Sequence, residues 1–199
     1  GTIEAIAQAK GEIYAGLGKG GIVLVNVDEP FAGYWKGLAA GHRIITFGTA
    51  ASAAVRGIIG DSPLKAGDSP QAEVRLVTPL DAFAVRLQVP GEHNARNAIA
   101  ACAAAFALEI PWRAIQEGLA AFAGTPGRLQ SRRGTGGATI VDDTYNANPD
   151  SMKAALRVLA RASGRRVFVV GDMGELGDAA AALHAEIGAF AKGIGIERL

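Results

Sequence analysis

The chain is short of cysteine, histidine and aromatic residues, and it has no surplus of charge of either sign. Each shortage narrows the reading. Cys102 has no partner in the sequence, so a disulfide scaffold is excluded. His42, His93 and His184 show no metal-ligand spacing, which with a single cysteine speaks against a zinc site. A formal net charge of +1 gives no electrostatic footprint for nucleic acid or an anionic membrane. The longest uncharged apolar stretch, residues 98–108, is about half of the ~20 residues a bilayer span needs. The opening segment GTIEAIAQAKGEIY carries early charge and no apolar run, unlike a signal peptide. The expectation is a cytoplasmic protein. What is present is a chain of 199 residues, 49% hydrophobic, which excludes intrinsic disorder and suits one large domain or two small ones.

The pattern predicts two α/β units. Ile3, Ile6, Ile13 and Leu17 recur near helical spacing, and a run of glycines from Gly16 to Gly21 closes the segment. GIVLVNVDEP reads as a strand buried on both faces, FAGYWKGLAAG as a short helix ending at Gly41, and RIITFG as a second strand. This alternation predicts parallel pairing with the helix as crossover. Residues 59–70 are rich in turn formers, and EVRLVTP with AFAVRLQVP then predicts an antiparallel hairpin at one sheet edge. Two helices are expected over 93–108 and 111–122, the second with Ile115, Leu119 and Phe122 on its apolar face. GTPGRLQ breaks the pattern, and a domain boundary is placed there, giving domains 1–124 and 125–199. Beyond it ATIVDD, PDSMKAALRVLARA, RRVFVVGD and AAALHAEIGAFAKG read as strand, helix, strand and helix, a second parallel α/β unit. The sequence stops at GIERL, where a further strand is expected.

Functional groups in open α/β sheets gather at the carboxyl ends of strands. GDMGELG follows a strand pattern, yet its glycines fall as G-x-x-G-x-x-G, and Asp172 and Glu175 would repel a pyrophosphate. GLGKGG has glycines and Lys19 without the order of a phosphate-binding P-loop. In GEHNARNA, Asn94 and Asn97 share a helix face near its positive end, where amides suit an adenine edge. The competing reading is that Asn94 caps the helix. VDDTYNANPDS concentrates three carboxylates, a phenol and two amides. Asp143 suits ribose hydroxyls, and Asn146 and Asn148 suit a peptide-like substrate. Turn and helix-start chemistry around Pro149 explains the same residues equally well. Arg128 is a cation at the boundary able to reach a phosphate, or a solvated linker residue.

The strings AKGEIYAGL, GIVLVNVDEPF, PGEHNARNAIAACAAA, PGRLQ, IVDDTYNANPDSMKAAL and VVGDMGELG stand in the order found in the Mur ligases. Together they resemble that family across essentially the whole chain, nearest to its D-alanyl-D-alanine-adding branch. The resemblance implies the later part of a central ATP-binding domain with a mixed sheet, followed by a truncated Rossmann-like C-terminal domain. It implies ATP and Mg²⁺ as cofactors. It implies UDP-N-acetylmuramoyl-tripeptide and D-alanyl-D-alanine as substrates, joined through an acyl phosphate in peptidoglycan precursor synthesis by a monomeric cytoplasmic enzyme. It assigns Asn94 and Asn97 to adenine, Arg128 and Asp143 to the nucleotide from across a hinged cleft, and Asn146 and Asn148 to the acceptor dipeptide. Lys10 matches a lysine that, once carbamylated, ligates a metal. With no P-loop in the sequence, the chain alone is expected to be inactive. Two alternatives stay open: another Mur-type ligase, such as the diaminopimelate-adding or folate-polyglutamating enzyme, or a non-ligase nucleotide-binding module built on GDMGELG.

Overall fold

The computed structural model describes residues 2–60 and 72–198. Most of the turn-rich stretch noted at 59–70 therefore lies outside the described residues. The described residues divide into two compact units, one of residues 2–60, 73–85 and 95–120, the other of 72, 86–94 and 121–198.

The first unit is built on β1 (Ile22–Asn26), α2 (Ala32–Leu38) and β2 (Arg43–Gly48), with α1 (Ile3–Gly11) ahead of them. β1 and β2 pair in parallel, as their alternation with a helix predicts. β3 (Val55–Gly60) continues the sheet in parallel beside β2 and is antiparallel to β4 (Ala72–Val77). β5 (Ala82–Leu87) completes the order β1-β2-β3-β4-β5. A tight turn in which Thr78 donates its backbone N–H to Asp81 makes β4 and β5 the expected edge hairpin. β3 was not foreseen. Its VRGIIG carries a charge and two glycines, and only its position between two strands makes it a sheet member.

Two expectations about burial are corrected. β1 is not buried on both faces: Val23 and Val25 are buried, and the residues alternating with them are half-buried. α1 forms, but Ile3, Ile6 and Ile13 are exposed, and Ala7 and Gly11 make its inner face. A Cβ at Gly11 would lie 2.6 Å from Leu38 Cδ1, and Trp35 donates its indole N–H to the Ala7 carbonyl at 2.9 Å. Close backbone approach, not an isoleucine stripe, seats this helix.

α3 (Glu92–Ala107) and α4 (Trp112–Ala121) match the expected pair. Ile115 is buried and Leu119 half-buried, while Phe122 lies past the end of α4 and is exposed. Phe83 stacks on Trp112 at 5.6 Å.

In the second unit β6 (Gln130–Arg133) and β7 (Thr139–Asp142) pair antiparallel. α5 (Pro149–Ala160) and α6 (Ala180–Gly193) enclose a core of Leu156, Met173, Ile187 and Ala191. The expected parallel sheet is reduced, among the described residues, to one parallel bridge between Val167 and Arg198. RRVFVVGD therefore runs without a ladder, and Val169 is 90% exposed. β-Branched side chains favour extended backbone, but a strand exists only where neighbours supply N–H and C=O groups. Among the described residues Arg198 alone does so, accepting the Phe168 N–H at 2.9 Å. Its place next to Val167 fits the strand expected at GIERL. β6, which begins at the last residue of the boundary motif and was not expected from the sequence, is made by a return through Gly136 and Gly137, both at positive φ.

Candidate functional site

The start of α3 is shaped by Gly91, at φ +97, where a Cβ would stand 2.6 Å from the His93 ring. Asn94 does not cap the helix. It sits in the first turn and donates its side-chain amide back to the Pro90 carbonyl at 2.7 Å. Asn97 is exposed and its side chain makes no hydrogen bond among the described residues, so its amide keeps both a donor and an acceptor for a ligand. His93, which sequence reasoning passed over, is half-buried. Burial holds its pKa below the usual histidine value, against the opposing fields of Asp143 and Glu92.

A second feature lies at residues 26–29, NVDE, one of the polar strand ends of the sequence, where no role had been assigned to Asp28. Asp28 accepts the Thr49 N–H at 2.8 Å, the Thr49 hydroxyl at 2.9 Å and the Ala50 N–H at 3.0 Å. Its Oδ2 also pairs with the Arg96 guanidinium on α3 at 3.1 Å. Burial alone would raise the Asp28 pKa; the bonds from Thr49 and Ala50, with the Arg96 charge, outweigh it and hold the carboxyl below the usual range. Gly48 makes room for this carboxylate, since a Cβ there would fall 2.8 Å from Asp28 Oδ1.

In the second unit the chain folds tightly on itself around Arg128. Gly127 (φ +74) and Leu129 (φ +46) flank it in left-handed conformations. Tyr145 donates its N–H to Gly127 at 3.0 Å, and Leu129 donates its own to Asp143 Oδ1 at 3.1 Å. The Arg128 guanidinium lies 4.2 Å above the Tyr145 ring. This turn brings Arg128, Asp143 and Tyr145 together. Tyr145 was visible in DDTYNANPDS, but nothing in its spacing marked it as the platform for an arginine.

The neighbouring polar residues are committed to the scaffold. Asp142 accepts from the Thr144 hydroxyl at 2.8 Å and pairs with Arg132 at 3.2 Å; the Thr144 hydroxyl is the chief cause of its lowered pKa. Asn146 accepts the Ala147 N–H at 2.8 Å. Asn148 is the N-cap of α5: it accepts the Ser151 N–H at 2.8 Å, and the Ser151 hydroxyl accepts the Asn148 N–H at 3.1 Å, a complete capping box. Lys10 is exposed in the last turn of α1.

GDMGELG is held from behind. Met173 is buried and donates its N–H to His184 Nε2 at 3.0 Å. A backbone N–H only donates, so Nε2 is the acceptor and Nδ1 carries the proton, given to the Ala180 carbonyl at 2.8 Å. Asp172 points into solvent. The loop leads through a short 3-10 turn into α6, and it presents carboxylates rather than a cradle for phosphates.

Residues 1–105 match the Mur ligase middle domain, and residues 127–197 match the Mur ligase, glutamate ligase domain. The chain belongs to the Mur ligase family. It is 37% identical to the UDP-N-acetylmuramoyl-tripeptide–D-alanyl-D-alanine ligase of Escherichia coli strain K12, over all of this chain and 43% of that protein. Among solved structures it is similar to the UDP-N-acetylmuramoylalanyl-D-glutamyl-2,6-diaminopimelate–D-alanyl-D-alanyl ligase of Acinetobacter baumannii. The TM-score is 0.83 at 36% identity, covering 95% of this chain and 40% of that one. It is also similar to the MurF ligase of Thermotoga maritima in complex with ADP, with a TM-score of 0.75 at 25% identity, covering 95% of this chain and 42% of that one. This Mur ligase chain thus spans less than half the length of the relatives it matches. No helix among the described residues is long and apolar enough to cross a membrane.

Proposed function

We propose that this chain is part of a cytoplasmic ATP-dependent ligase that joins D-alanyl-D-alanine to UDP-N-acetylmuramoyl-tripeptide in peptidoglycan precursor synthesis. The observation that carries the reading is the 37% identity, over the whole of this chain, to an E. coli ligase named for that reaction. The neighbour in complex with ADP supports a nucleotide site. ATP supplies the phosphoryl group that turns a carboxylate into an acyl phosphate open to attack by an amine.

The residues fit the adenosine end. Asn97 offers a free amide for the adenine edge, with Asn94 one turn earlier. Asp143 gives one oxygen to Leu129, leaving Oδ2 to accept from ribose hydroxyls. Arg128, braced on Tyr145, holds a fixed positive charge for phosphate. The two domains are proposed as 1–124 and 125–199. Gly124 and Gly127, both at positive φ, support a hinge at the junction. Asn146 and Asn148 are weaker supports for the acceptor dipeptide, since their side-chain oxygens already serve the backbone.

Magnesium does not fit the described residues by themselves. No group of three His, Cys, Asp or Glu side chains gathers among them, and Lys10 is exposed. Carbamylation of Lys10 stays a proposal supported only by its place in AKGEI, and no step is routed through the metal.

The test is a chimera in which this chain replaces the matching segment of the E. coli ligase. ATP-dependent joining of D-alanyl-D-alanine is the expected result. A chimera that folds and accepts diaminopimelate or glutamate instead overturns the substrate assignment. The 199-residue chain alone is expected to release no phosphate from ATP.

A further inference from the structure

We propose that Asp28 is a positioning residue for the nucleotide-binding face of α3, acting through Arg96. The proposal rests on the adenosine reading above and adds to it the device that aims Asn97.

The need follows from the composition of α3. Its buried residues are Ala95, Ala98, Ala103 and Ala107, with Ile99 and Cys102. A face made mostly of methyl groups lets a helix approach a sheet closely but has shallow ridges, so it specifies rotation about the helix axis poorly. A ligand-binding side chain on the opposite side needs that rotation fixed to a fraction of an ångström.

Two contacts supply it. Ile99 fills the notch left by Gly57 on β3, where a Cβ would fall 2.0 Å from Ile99 Cδ1. One knob in one notch sets where the helix sits, but leaves it free to pivot about that point. The second contact is Arg96 on Asp28, sixty-eight positions away in sequence. Asp28 is a fixed acceptor because Thr49 and Ala50 already hold its carboxylate through three hydrogen bonds. Thr49 is held in turn, since its carbonyl accepts the Arg56 Nε–H at 3.1 Å. The ends of β1 and β2 thus present a rigid anion to α3, and Arg96 takes it one residue before Asn97. The ion pair is not a general glue: the Arg96 side chain is 46% exposed, and such pairs add little stability. Its value lies in orientation.

The test uses the 199-residue chain with adenosine as the probe, reading affinity by isothermal titration, the wild-type Asn97 side-chain amide by NMR and folding by circular dichroism. Arg96→Gln is expected to keep the fold and weaken adenosine about tenfold, with Arg96→Lys recovering part of the loss. In an Asn97→Ala background, Arg96→Gln is expected to cause no further loss, because it acts only through that amide. Normal affinity in Arg96→Gln, with Asn97→Ala weakened, overturns the positioning role alone. Additive losses in the double variant overturn it as well. If adenosine leaves the wild-type Asn97 amide unmoved, or Asn97→Ala binds as tightly as wild type, the nucleotide reading falls and the positioning role with it. Asp28→Asn completes the series, and the Arg96 variants carry the test if it fails to fold.

Discussion

The starts of α3 and α5 solve the same problem in opposite ways. Both helices carry asparagines in or just before the first turns. α5 is fastened by its own side chains: Asn148 and Ser151 close a capping box, and Asn146 braces the backbone beside it. α3 is fastened from elsewhere, by Asp28 on Arg96 and by Ile99 in the Gly57 notch. Asn94 is spent on the Pro90 carbonyl, but a helix held mainly by distant groups keeps Asn97 for a ligand, whereas α5, held locally, has committed both Asn146 and Asn148. The count of asparagines in a motif is therefore a poor guide to binding; what matters is which of their atoms the scaffold already uses.

The sharpest way to break the comparison is to remove the distant fastening. Asp28→Ala leaves the Thr49 and Ala50 N–H groups and Arg96 without their acceptor, and is expected to cost about 3 kcal/mol in chemical denaturation. The same group sets a pH signature. Its folded pKa is lowered, so its stabilisation is fully present above the unfolded carboxylate value of about 4 and is lost as pH falls through the folded value. Acid titration of stability should therefore flatten below about pH 4 in Asp28→Asn relative to wild type. An Asp28→Ala chain as stable as wild type would show that α3 is held by packing alone.

Next in size is the turn that carries Arg128. Gly127→Ala places a Cβ 3.1 Å from the Tyr145 backbone nitrogen at φ +74, and is expected to cost about 1–3 kcal/mol. It should also free Tyr145 from the guanidinium, read as a change in tyrosine fluorescence. A loss in stability without that change would separate the fold of the turn from the stacking.

Much of this was legible in the sequence, and the failures share a cause. The β1-α2-β2 crossover, the hairpin, α3, α5 and α6 all follow from local periodicity and punctuation. β3 and the VFVV segment, held by a single bridge, do not, because strand membership is decided by neighbours: a glycine-bearing VRGIIG becomes a central strand between β2 and β4, and a β-branched run stays outside a ladder. The same division runs through the site. Asn94, Asn97, Arg128 and Asp143 were visible as residue types near strand ends. The pairing of Asp28 with Arg96 joins residues sixty-eight positions apart, and the seat of Arg128 on Tyr145 and the grip of His184 on Met173 depend on turns of the chain that residue spacing does not announce.

A smaller effect separates scaffold from ligand chemistry on α5. Asn148→Ala removes the cap and is expected to cost about 1 kcal/mol, seen as a lowered melting temperature, with adenosine affinity unchanged. A clear loss of adenosine binding would place Asn148 in the nucleotide site and erase the contrast between the two helix starts.

The smallest change in stability should come from Asn97→Ala, and it decides most. The side chain is exposed and makes no hydrogen bond among the described residues, so its removal should shift unfolding by no more than about 0.5 kcal/mol. Alanine's higher helix propensity could even offset that loss within α3. If the amide is held ready for adenine, the same substitution should nonetheless weaken adenosine in an isothermal titration. A residue neutral for folding and costly for binding is the signature of a group the fold has kept uncommitted. Should Asn97→Ala instead destabilise the chain as much as Asn148→Ala does, then α3 too relies on its own amides, and the distinction between locally and distantly fastened helices fails.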